Sequence, residues 1–290
     1  MTGDAPEPVV GRPWEYSAFP VAVARTRRLS PGFLRITLTG PALRNFAPWA
    51  LDQRIKLVLP MADGSRPEFG LREDPTPHPR QWYTRWKELP EAHRNVLRTY
   101  TPSAIRPESA EIDVDLFLHD PPGPASAWAL GCAPGDELVI TGPDVRCGFT
   151  GYGLHYRPPV SPTHLLLIGD ESALPALANI VAALPAGTPA DVLLELADPR
   201  DDILPTAPAE VEVQIVPGGP RAGESLERAV RDWAAHHGAA FVGAPGSYAW
   251  IAGEATATVR IRRLLTGDLA LPKDRVAFLG YWKHGGPLVG

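Results

Sequence analysis

The sequence predicts an α+β protein of two domains: an antiparallel six-stranded β-barrel followed by an α/β domain built on a parallel sheet. Three observations lead to this prediction. The 290 residues are enough for two domains that each bury a core. Up to about residue 145, short segments of alternating apolar and polar residues are separated by turns. After Pro158 and Pro159, apolar strands alternate with helical segments.

The predicted barrel covers residues 17–150. Its strands are short, and turn sequences such as Ser30-Pro31-Gly32 separate them. These strands are residues 21–26, 34–39, 55–59, 98–101, 111–118 and 137–140. Short strands with one helix among them are typical of a small barrel. Residues 1–16, rich in Pro, Gly and acidic residues, are expected to form a flexible arm, and no secondary structure is predicted for the polar stretch 60–95.

The predicted α/β domain covers residues 160–290. Its strands are expected at 165–168, 192–196, 211–216, 248–252 and 275–279, and its helices at 174–184, 226–237 and 256–265. This alternation predicts a parallel sheet with helices on both faces, and such sheets bind ligands at the carboxyl ends of their strands. His236 and His237 would end the second helix and interact with its dipole rather than bind a metal.

Composition narrows the possible functions. A net charge of −5 argues against nucleic acid as the main partner, because phosphate binding needs a basic surface. Cys132 and Cys147 are too few for a disulfide framework, and no group of residues has metal-ligand spacing. The N-terminal segment does not resemble a secretory signal, and no apolar run approaches the ~20 residues of a membrane span. We therefore expect a cytoplasmic protein, without membrane insertion, that is a monomer or weak dimer.

The segment Arg98-Thr99-Tyr100-Thr101 has the residues that a bound flavin needs. The period of a strand places Tyr100 on the same face as Arg98 and opposite Thr99 and Thr101. One short strand can then supply an aromatic ring for stacking, a guanidinium for phosphate and a hydroxyl donor. Taken alone, the segment is equally compatible with an ordinary barrel strand that carries a surface arginine.

A second segment favours the flavin. The strand ending at Leu118 leads through His119 to Gly123-Pro124-Ala125-Ser126, where a helix begins. Glycine allows close approach of a ligand, and Ser126 is expected to be the N-cap. The unpaired N–H groups of a helix start favour a pyrophosphate. A capped helix without a ligand is the commoner case, so only the two segments together indicate FAD.

With these motifs, the chain resembles the ferredoxin-reductase-like flavoproteins and, more narrowly, the siderophore-interacting protein family of FAD-dependent ferric-siderophore reductases. The resemblance spans residues 17–286. The segments that carry it are 98–102, 119–129, 169–176, 249–254 and 280–285. It implies that Arg98, Thr99, Tyr100, Thr101 and His119 contact the flavin, and that Gly123, Pro124, Ala125 and Ser126 hold its pyrophosphate.

The resemblance also implies a nicotinamide site, at Gly169, Asp170, Glu171, Ser172 and Ala173. Acidic residues there disfavour a tightly held pyrophosphate, which fits a transient donor, NADH or NADPH, better than a resident one. Glu254 would approach the flavin or cap its own helix. Trp282 and Lys283 would contact the substrate, with Lys283 attracting the anionic groups of a ferric siderophore; a solvated lysine after an edge strand is the alternative.

Two departures from the family pattern concern the substrate. Ser103 stands where the family usually has an arginine, although Arg106 is near enough in sequence to replace that cation. Asp120 follows His119 where a glycine is usual, and this adds a carboxylate near the flavin edge. The expected function is reduction of ferric siderophores with electrons from NAD(P)H through FAD. A different FAD-dependent enzyme of secondary metabolism and a non-catalytic siderophore-binding module remain alternatives, as does a ferredoxin as donor.

Overall fold

The computed structural model describes residues 15–66 and 68–287 and separates into two compact units. The first unit contains residues up to 28 and 34–154, and the second contains residues 29–33 and those from 155 onwards. Of the predicted N-terminal arm, residues 1–14 lie outside the described residues. None of the helices in the described part of the chain has both the length and the apolar character needed to cross a membrane.

The first unit is built on one antiparallel sheet. Its strands are β1 (Tyr16–Arg28), β2 (Phe33–Thr39), β3 (Ile55–Val58), β4 (Leu97–Tyr100), β5 (Pro102–Arg106), β6 (Glu111–Phe117) and β7 (Glu137–Pro143). The order across the sheet is β4-β3-β7-β1-β2-β6-β5. Strands β4 and β5 occupy opposite edges, yet only Thr101 separates them in sequence. The sheet therefore curls until its edges meet at Thr101, which is the predicted barrel.

The barrel has seven strands rather than six because the chain changes direction at Thr101. The predicted strand 98–101 is β4, and the five residues after Thr101 pair with β6 on the other side. The alternation of acidic and apolar residues along β6 explains its contribution to the core. Ile112, Val114 and Leu116 are fully buried among the apolar side chains inside the sheet. The predicted fold class of the first domain is confirmed.

The stretch 60–95, for which the sequence predicts no structure, contains helix α1 (Pro79–Glu88). Trp82 and Trp86 lie on one face of α1 and are buried in a second apolar cluster on the outside of the sheet. The indole N–H of Trp82 donates to the Tyr16 hydroxyl at 2.6 Å, and that hydroxyl donates to the Pro77 carbonyl at 2.7 Å. This stretch is therefore a packed cover on the barrel.

The second unit contains a six-stranded sheet of order β10-β9-β8-β11-β12-β13. The strands are β8 (His164–Asp170), β9 (Ala190–Leu196), β10 (Val211–Pro217), β11 (Ser247–Glu254), β12 (Val276–Lys283) and β13 (Gly286–Pro287). The first five are parallel, and β13 is antiparallel to β12. Helices α3 (Leu174–Ala182), α4 (Glu224–Gly243) and α5 (Ala255–Arg263) connect the strands. The predicted parallel α/β architecture is confirmed.

One predicted helix end is wrong. Helix α4 continues through Gly238 to Gly243 instead of ending at His237. A side chain at position 238 would place its Cβ 2.4 Å from Cδ1 of Leu269, so this glycine serves close packing and does not terminate the helix. His236 and His237 therefore lie inside the helix, where His237 stacks on Trp233.

Helix α2 (Pro124–Gly131) is the one α-helix between β6 and β7. Its C-terminal end is capped by the Cys132 N–H, which donates to the Trp128 carbonyl at 2.9 Å. The helix packs Ala125 and Ala129 against the barrel core. This packing sets the position of the helix start, which is part of the candidate site.

Candidate functional site

Arg98 lies on the edge strand β4 and pairs in register with Leu57 of β3. Its Nη1 donates to the Leu97 carbonyl at 2.9 Å, and no carboxylate of the described residues forms an ion pair with it. Partial burial lowers the pKa of Arg98 from its usual value. A half-buried guanidinium without a carboxylate partner is suited to binding an anion.

Tyr100 is two residues further along the same strand and pairs with Ile55. Its ring packs against the barrel core, and burial raises the pKa of its hydroxyl to about 12. The phenol is therefore neutral at physiological pH and presents an aromatic surface with an O–H donor. Of the flanking threonines, Thr99 is exposed and accepts from Lys56 Nζ at 3.4 Å, whereas Thr101 is buried.

The start of α2 has unused hydrogen-bond donors. Gly123 is the N-cap residue and provides no side-chain cap. The N–H groups of Ala125 and Ser126 donate to no acceptor among the described residues, whereas the Ala127 N–H makes the first helical bond to the Gly123 carbonyl at 2.9 Å. No atom lies within 4 Å of the Cβ position at Gly123, so the backbone there is open. Such a helix start can receive a phosphate group.

Ser126 does not have the predicted capping role. It is the third residue of α2, is buried, and its Oγ accepts from the His119 N–H at 3.2 Å. Ser126 thus fixes the segment that leads into the helix instead of capping it. The exposed His119 ring lies edge-on to Phe117, with 5.3 Å between ring centres, and Asp120 is also exposed.

Arg106 does not replace the positive charge that an arginine at position 103 would supply. Its guanidinium donates to both carboxylate oxygens of Asp113, at 2.8 and 2.9 Å, and to Glu111 at 3.1 Å. Arg25 and Arg106 together lower the pKa of Glu111 to about 2, with Arg25 the larger cause. The Ser103 hydroxyl donates to the Asp113 carbonyl at 3.3 Å. The positive charge of Arg106 is therefore neutralised, and the expectation that it compensates is wrong.

In the second unit, Asp170 lies at the carboxyl end of β8 and is buried. Its Oδ1 accepts from the N–H and the hydroxyl of Ser172, at 3.0 and 2.5 Å. Its Oδ2 accepts from the Glu254 N–H at 3.0 Å and the Trp282 indole at 2.8 Å. Burial raises the pKa of Asp170, and these four donors oppose that rise. One carboxylate thus joins the ends of β8, β11 and β12.

Two glycines allow this arrangement. At Gly253 the backbone has φ +148°, and a Cβ there would lie 2.5 Å from Oδ2 of Asp170. At Gly169 a Cβ would lie 2.6 Å from that of Ala173. Gly169, Asp170 and Ala173, three residues of the predicted nicotinamide site, therefore lie close together. The absence of a side chain at Gly169 allows its close packing against Ala173.

Two further carboxylates lie at this edge of the sheet. Glu171 Oε1 accepts from the Ala197 N–H at 2.5 Å, and burial raises the pKa of Glu171 to about 7. Glu195, near the end of β9, accepts from the Gly223 N–H at 3.1 Å through Oε2, and burial raises its pKa also. Glu195 is a residue of this edge that the sequence motifs did not indicate. The available signal was a single charge within the apolar strand Leu193 to Leu196.

Of the three remaining predicted residues, Glu254 and Trp282 have structural partners. Glu254 is the N-cap of α5, and its Oε2 accepts from the Ala257 N–H at 2.7 Å, so of its two predicted roles the structure contains the cap. The Trp282 indole is bound to Asp170, which anchors the end of β12. Lys283 is exposed at the last position of that strand.

The residues of the first unit fit FAD. Arg98 has no carboxylate partner in the described part of the chain, Tyr100 presents an aromatic ring, and the start of α2 has unused N–H donors in open space. Together these are the groups that a flavin with a pyrophosphate requires. The carboxyl ends of the parallel strands in the second unit are the ordinary place for a nucleotide in such a sheet.

Comparisons with known proteins identify the first unit as an FAD-binding domain. A model of the siderophore-interacting FAD-binding domain matches residues 22–147, and a model of the siderophore-interacting protein family matches residues 162–285. The ferric vibriobactin reductase ViuB of Vibrio cholerae is 26% identical, and the match covers 90% of this chain and 88% of that protein. The crystal structure of the siderophore-interacting protein SipS from Aeromonas hydrophila is 28% identical with a TM-score of 0.65, covering 93% of this chain and 100% of that chain.

Part of a larger protein is also similar. The mycobactin import ATP-binding/permease protein IrtA of Mycolicibacterium smegmatis is 30% identical over 74% of this chain. The chain spans only 23% of the length of that relative. The two family models together match nearly all of the described residues, in the order barrel and then α/β unit. The chain therefore belongs to the siderophore-interacting protein family, and its first unit is that family's FAD-binding domain.

Proposed function

We propose that this chain is an FAD-dependent reductase that passes electrons from NAD(P)H to the Fe(III) of ferric siderophores and so releases the iron. The observation that carries the proposal is the flavin-compatible set in the first unit: Arg98 without a carboxylate partner among the described residues, the Tyr100 ring, and the open start of α2. Membership of the family supports the siderophore as substrate, as does the name of the relative ViuB.

In this proposal the barrel residues bind and orient the cofactor. Arg98 and the N–H groups of Ala125 and Ser126 hold the pyrophosphate, because among the described residues Arg98 has no carboxylate partner and these two N–H groups donate to no acceptor. The Tyr100 ring lies against the flavin ring, and Thr101 supplies a hydroxyl. FAD, when bound, accepts two electrons as hydride and releases them one at a time, which suits a ferric substrate.

The second unit supplies the donor site in this proposal. The nicotinamide dinucleotide binds at the carboxyl ends of β8, β9 and β11, where Gly169 to Ala173 end the first parallel strand. The carboxylates Asp170 and Glu171 repel a pyrophosphate and so keep the donor transient. Lys283, exposed at the end of β12, attracts the anionic chelating groups of the siderophore.

The proposal is tested with the purified protein in three steps. Its visible spectrum should show bound oxidised FAD. Anaerobic mixing with NADH and with NADPH should bleach the flavin bands with at least one of them. Adding a ferric catecholate or a ferric hydroxamate should then restore the bands and release Fe(II), measured with a ferrous chelator. A flavin that neither nucleotide bleaches, or that is reoxidised only by oxygen, contradicts the proposal.

A second candidate is an FAD-dependent enzyme with a different acceptor. Two observations favour it: Arg106 is neutralised by Asp113 and Glu111, and Asp120 is an exposed carboxylate next to His119. Both reduce the positive charge available to an anionic siderophore. Rapid reduction by NAD(P)H combined with no reoxidation by ferric siderophores would favour this candidate. A protein that purifies without flavin and cannot be reconstituted would instead indicate a binding module.

A further inference from the structure

The carboxyl edge of the parallel sheet carries four acidic side chains: Asp170, Glu171, Glu195 and Glu254. Their hydrogen-bond partners are backbone N–H groups, one serine hydroxyl and one indole. Over residues 15–66 and 68–287, none of the four forms an ion pair with a lysine or arginine. The edge where a nucleotide is proposed to bind is thus acidic and has no paired lysine or arginine among the described residues.

Glu195 has an unused acceptor. Its side chain is 6% exposed, and its Oε2 accepts from the Gly223 N–H at the start of α4. Its Oε1 is buried and has no hydrogen-bond partner among the described residues. A buried carboxylate oxygen of this kind is costly unless a ligand or water donates to it.

The topology relates Glu195 to a nucleotide. The strand order reverses between β8 and β11, and dinucleotides bind across the carboxyl ends at such a point. Glu195 is near the end of β9, the second strand of the parallel series. In dinucleotide-binding sheets with a glycine-rich first turn, an acidic side chain after the second strand accepts a hydrogen bond from the adenosine ribose, whereas a nearby arginine accommodates a 2′-phosphate.

The region also offers little to a 2′-phosphate. The Gly223 N–H, the donor at the N-cap of α4, is already bound by the carboxylate of Glu195. In the segment 218–223 between β10 and α4 the one cation is the exposed Arg221. Two more negative charges would therefore enter an edge that already has four acidic side chains, and the nearby Arg260, which donates to the Ala222 carbonyl at 3.5 Å, is paired with Glu227.

We infer that the electron donor is NADH rather than NADPH, and that Glu195 is the residue that makes this selection by accepting from the ribose hydroxyls and repelling a 2′-phosphate. The inference rests on the proposed function, which leaves the choice of nicotinamide donor open. Glu195→Gln is the informative substitution. The amide oxygen can still accept from the Gly223 N–H, while the amide N–H₂ replaces the charge with a donor.

The test measures binding and reduction separately. Calorimetric titrations with NAD⁺ and NADP⁺ give affinities that do not depend on electron transfer, and anaerobic stopped flow with NADH and NADPH gives rates of flavin bleaching. The wild-type protein should prefer NADH by about tenfold or more, and Glu195→Gln should reduce this preference by about tenfold. Glu212→Gln, an exposed carboxylate on β10, is the matched control and should leave the preference unchanged.

Several results overturn the inference. They are a wild-type protein that uses NADPH equally well or better, and a folded Glu195→Gln variant with an unchanged preference. Arg221→Ala provides a test that does not depend on folding of the Glu195 variant: the preference for NADH should survive it, and an NADPH preference that it abolishes would identify Arg221 as a 2′-phosphate ligand instead. If neither NADH nor NADPH bleaches the flavin but NAD⁺ binds more tightly than NADP⁺, the proposed function is contradicted. The selection of the site against a 2′-phosphate is then still supported.

Discussion

The Trp282 indole donates a hydrogen bond of 2.8 Å to Oδ2 of Asp170, and this bond joins the end of β12 to the end of β8. The same oxygen accepts from the Glu254 N–H, so three strand ends converge on one carboxylate. The bond explains why a tryptophan that the sequence assigns to substrate contact is partly buried. It also makes Asp170 the residue on which the geometry of this edge depends.

Asp170→Asn should destabilise the second unit. Each carboxylate oxygen accepts from two donors, so an amide N–H₂ in either orientation faces donors that then lack an acceptor. The free energy of unfolding should fall by about 1–3 kcal/mol, measured by urea titration with circular dichroism. Asp232→Asn, on the exposed face of α4, is the control and should change it by less than about 0.5 kcal/mol. Equal effects would contradict the role assigned to Asp170.

Glu171 should make stability depend on pH. Burial raises the pKa of Glu171 from its ordinary 4.5 to about 7, so the folded state binds its proton more tightly than the unfolded state. The stabilisation is complete below about pH 4.5 and is lost as pH rises through about 7. For a partly exposed group we expect about 1–3 kcal/mol. Urea titrations at pH 5 and pH 8 measure it, and Glu171→Gln should flatten the difference. An unchanged difference would mean that other groups cause it.

Gly253→Ala should be among the most damaging small substitutions. It combines a positive φ with a Cβ 2.5 Å from the Asp170 carboxylate, so the strand end must move away. A loss of about 2 kcal/mol or more in unfolding free energy is expected. Gly131→Ala provides the control: it lies at the end of α2 with no atom within 4 Å of its Cβ position, and alanine there should be neutral or stabilising. A tolerated Gly253→Ala would show that Asp170 can relocate.

Arg98→Ala should weaken FAD binding. If the guanidinium binds the pyrophosphate, its removal should raise the Kd of FAD by about 10- to 100-fold, and Arg98→Lys should fall between. The measurement is a titration of apoprotein followed by quenching of flavin fluorescence. Arg27→Ala, an exposed arginine on β1, is the control and should leave the Kd unchanged. An unaltered Kd in Arg98→Ala would remove Arg98 from the proposed cofactor site.

Tyr16→Phe should loosen the cover on the barrel. The Tyr16 hydroxyl accepts from the Trp82 indole and donates to the Pro77 carbonyl, so its loss leaves two partners unsatisfied in a buried place. A decrease of about 1–3 kcal/mol in unfolding free energy is expected. Tyr83→Phe, on the neighbouring helix, is the control because no hydrogen bond of its hydroxyl is found among the described residues. The comparison uses urea titration, and equal stability of both variants would refute the role of the hydroxyl.

The elements that the sequence predicts well are those whose pattern is local. Alternation over 111–118 and the apolar run at 165–168 identify β6 and β8 because each pattern follows the period of a strand. The extension of α4 through Gly238 was not predictable, since the reason for that glycine is Leu269, a distant neighbour. Helix α1 was not predicted because the stretch 60–95 is polar, and the helix is held by the packing of Trp82 and Trp86 against residues distant in sequence.

The candidate site shows the same division. Arg98, Tyr100 and Gly123 were candidates from the sequence because their residue types suit the chemistry of a flavin. The hydrogen-bond partners of Ser126 and Trp282 could not be predicted from the sequence. The bond of Trp282 joins segments far apart in sequence, and the bond of Ser126 depends on the path of the chain between His119 and the helix. Glu195 was passed over for a related reason: its importance depends on which strand neighbours β8, and strand order is not written in a local pattern.

Thr101 has one more consequence, for the interpretation of mutants. Thr101 alone joins the two edge strands of the sheet, β4 and β5. This buried residue therefore holds the barrel closed at the same place where it would contact the cofactor. Substitutions of Thr101 can separate β4 from β5, open the barrel and release FAD without removing any atom that binds it. Loss of colour in a Thr101 variant therefore identifies a flavin contact only when hydrogen exchange shows that β4 and β5 are still protected.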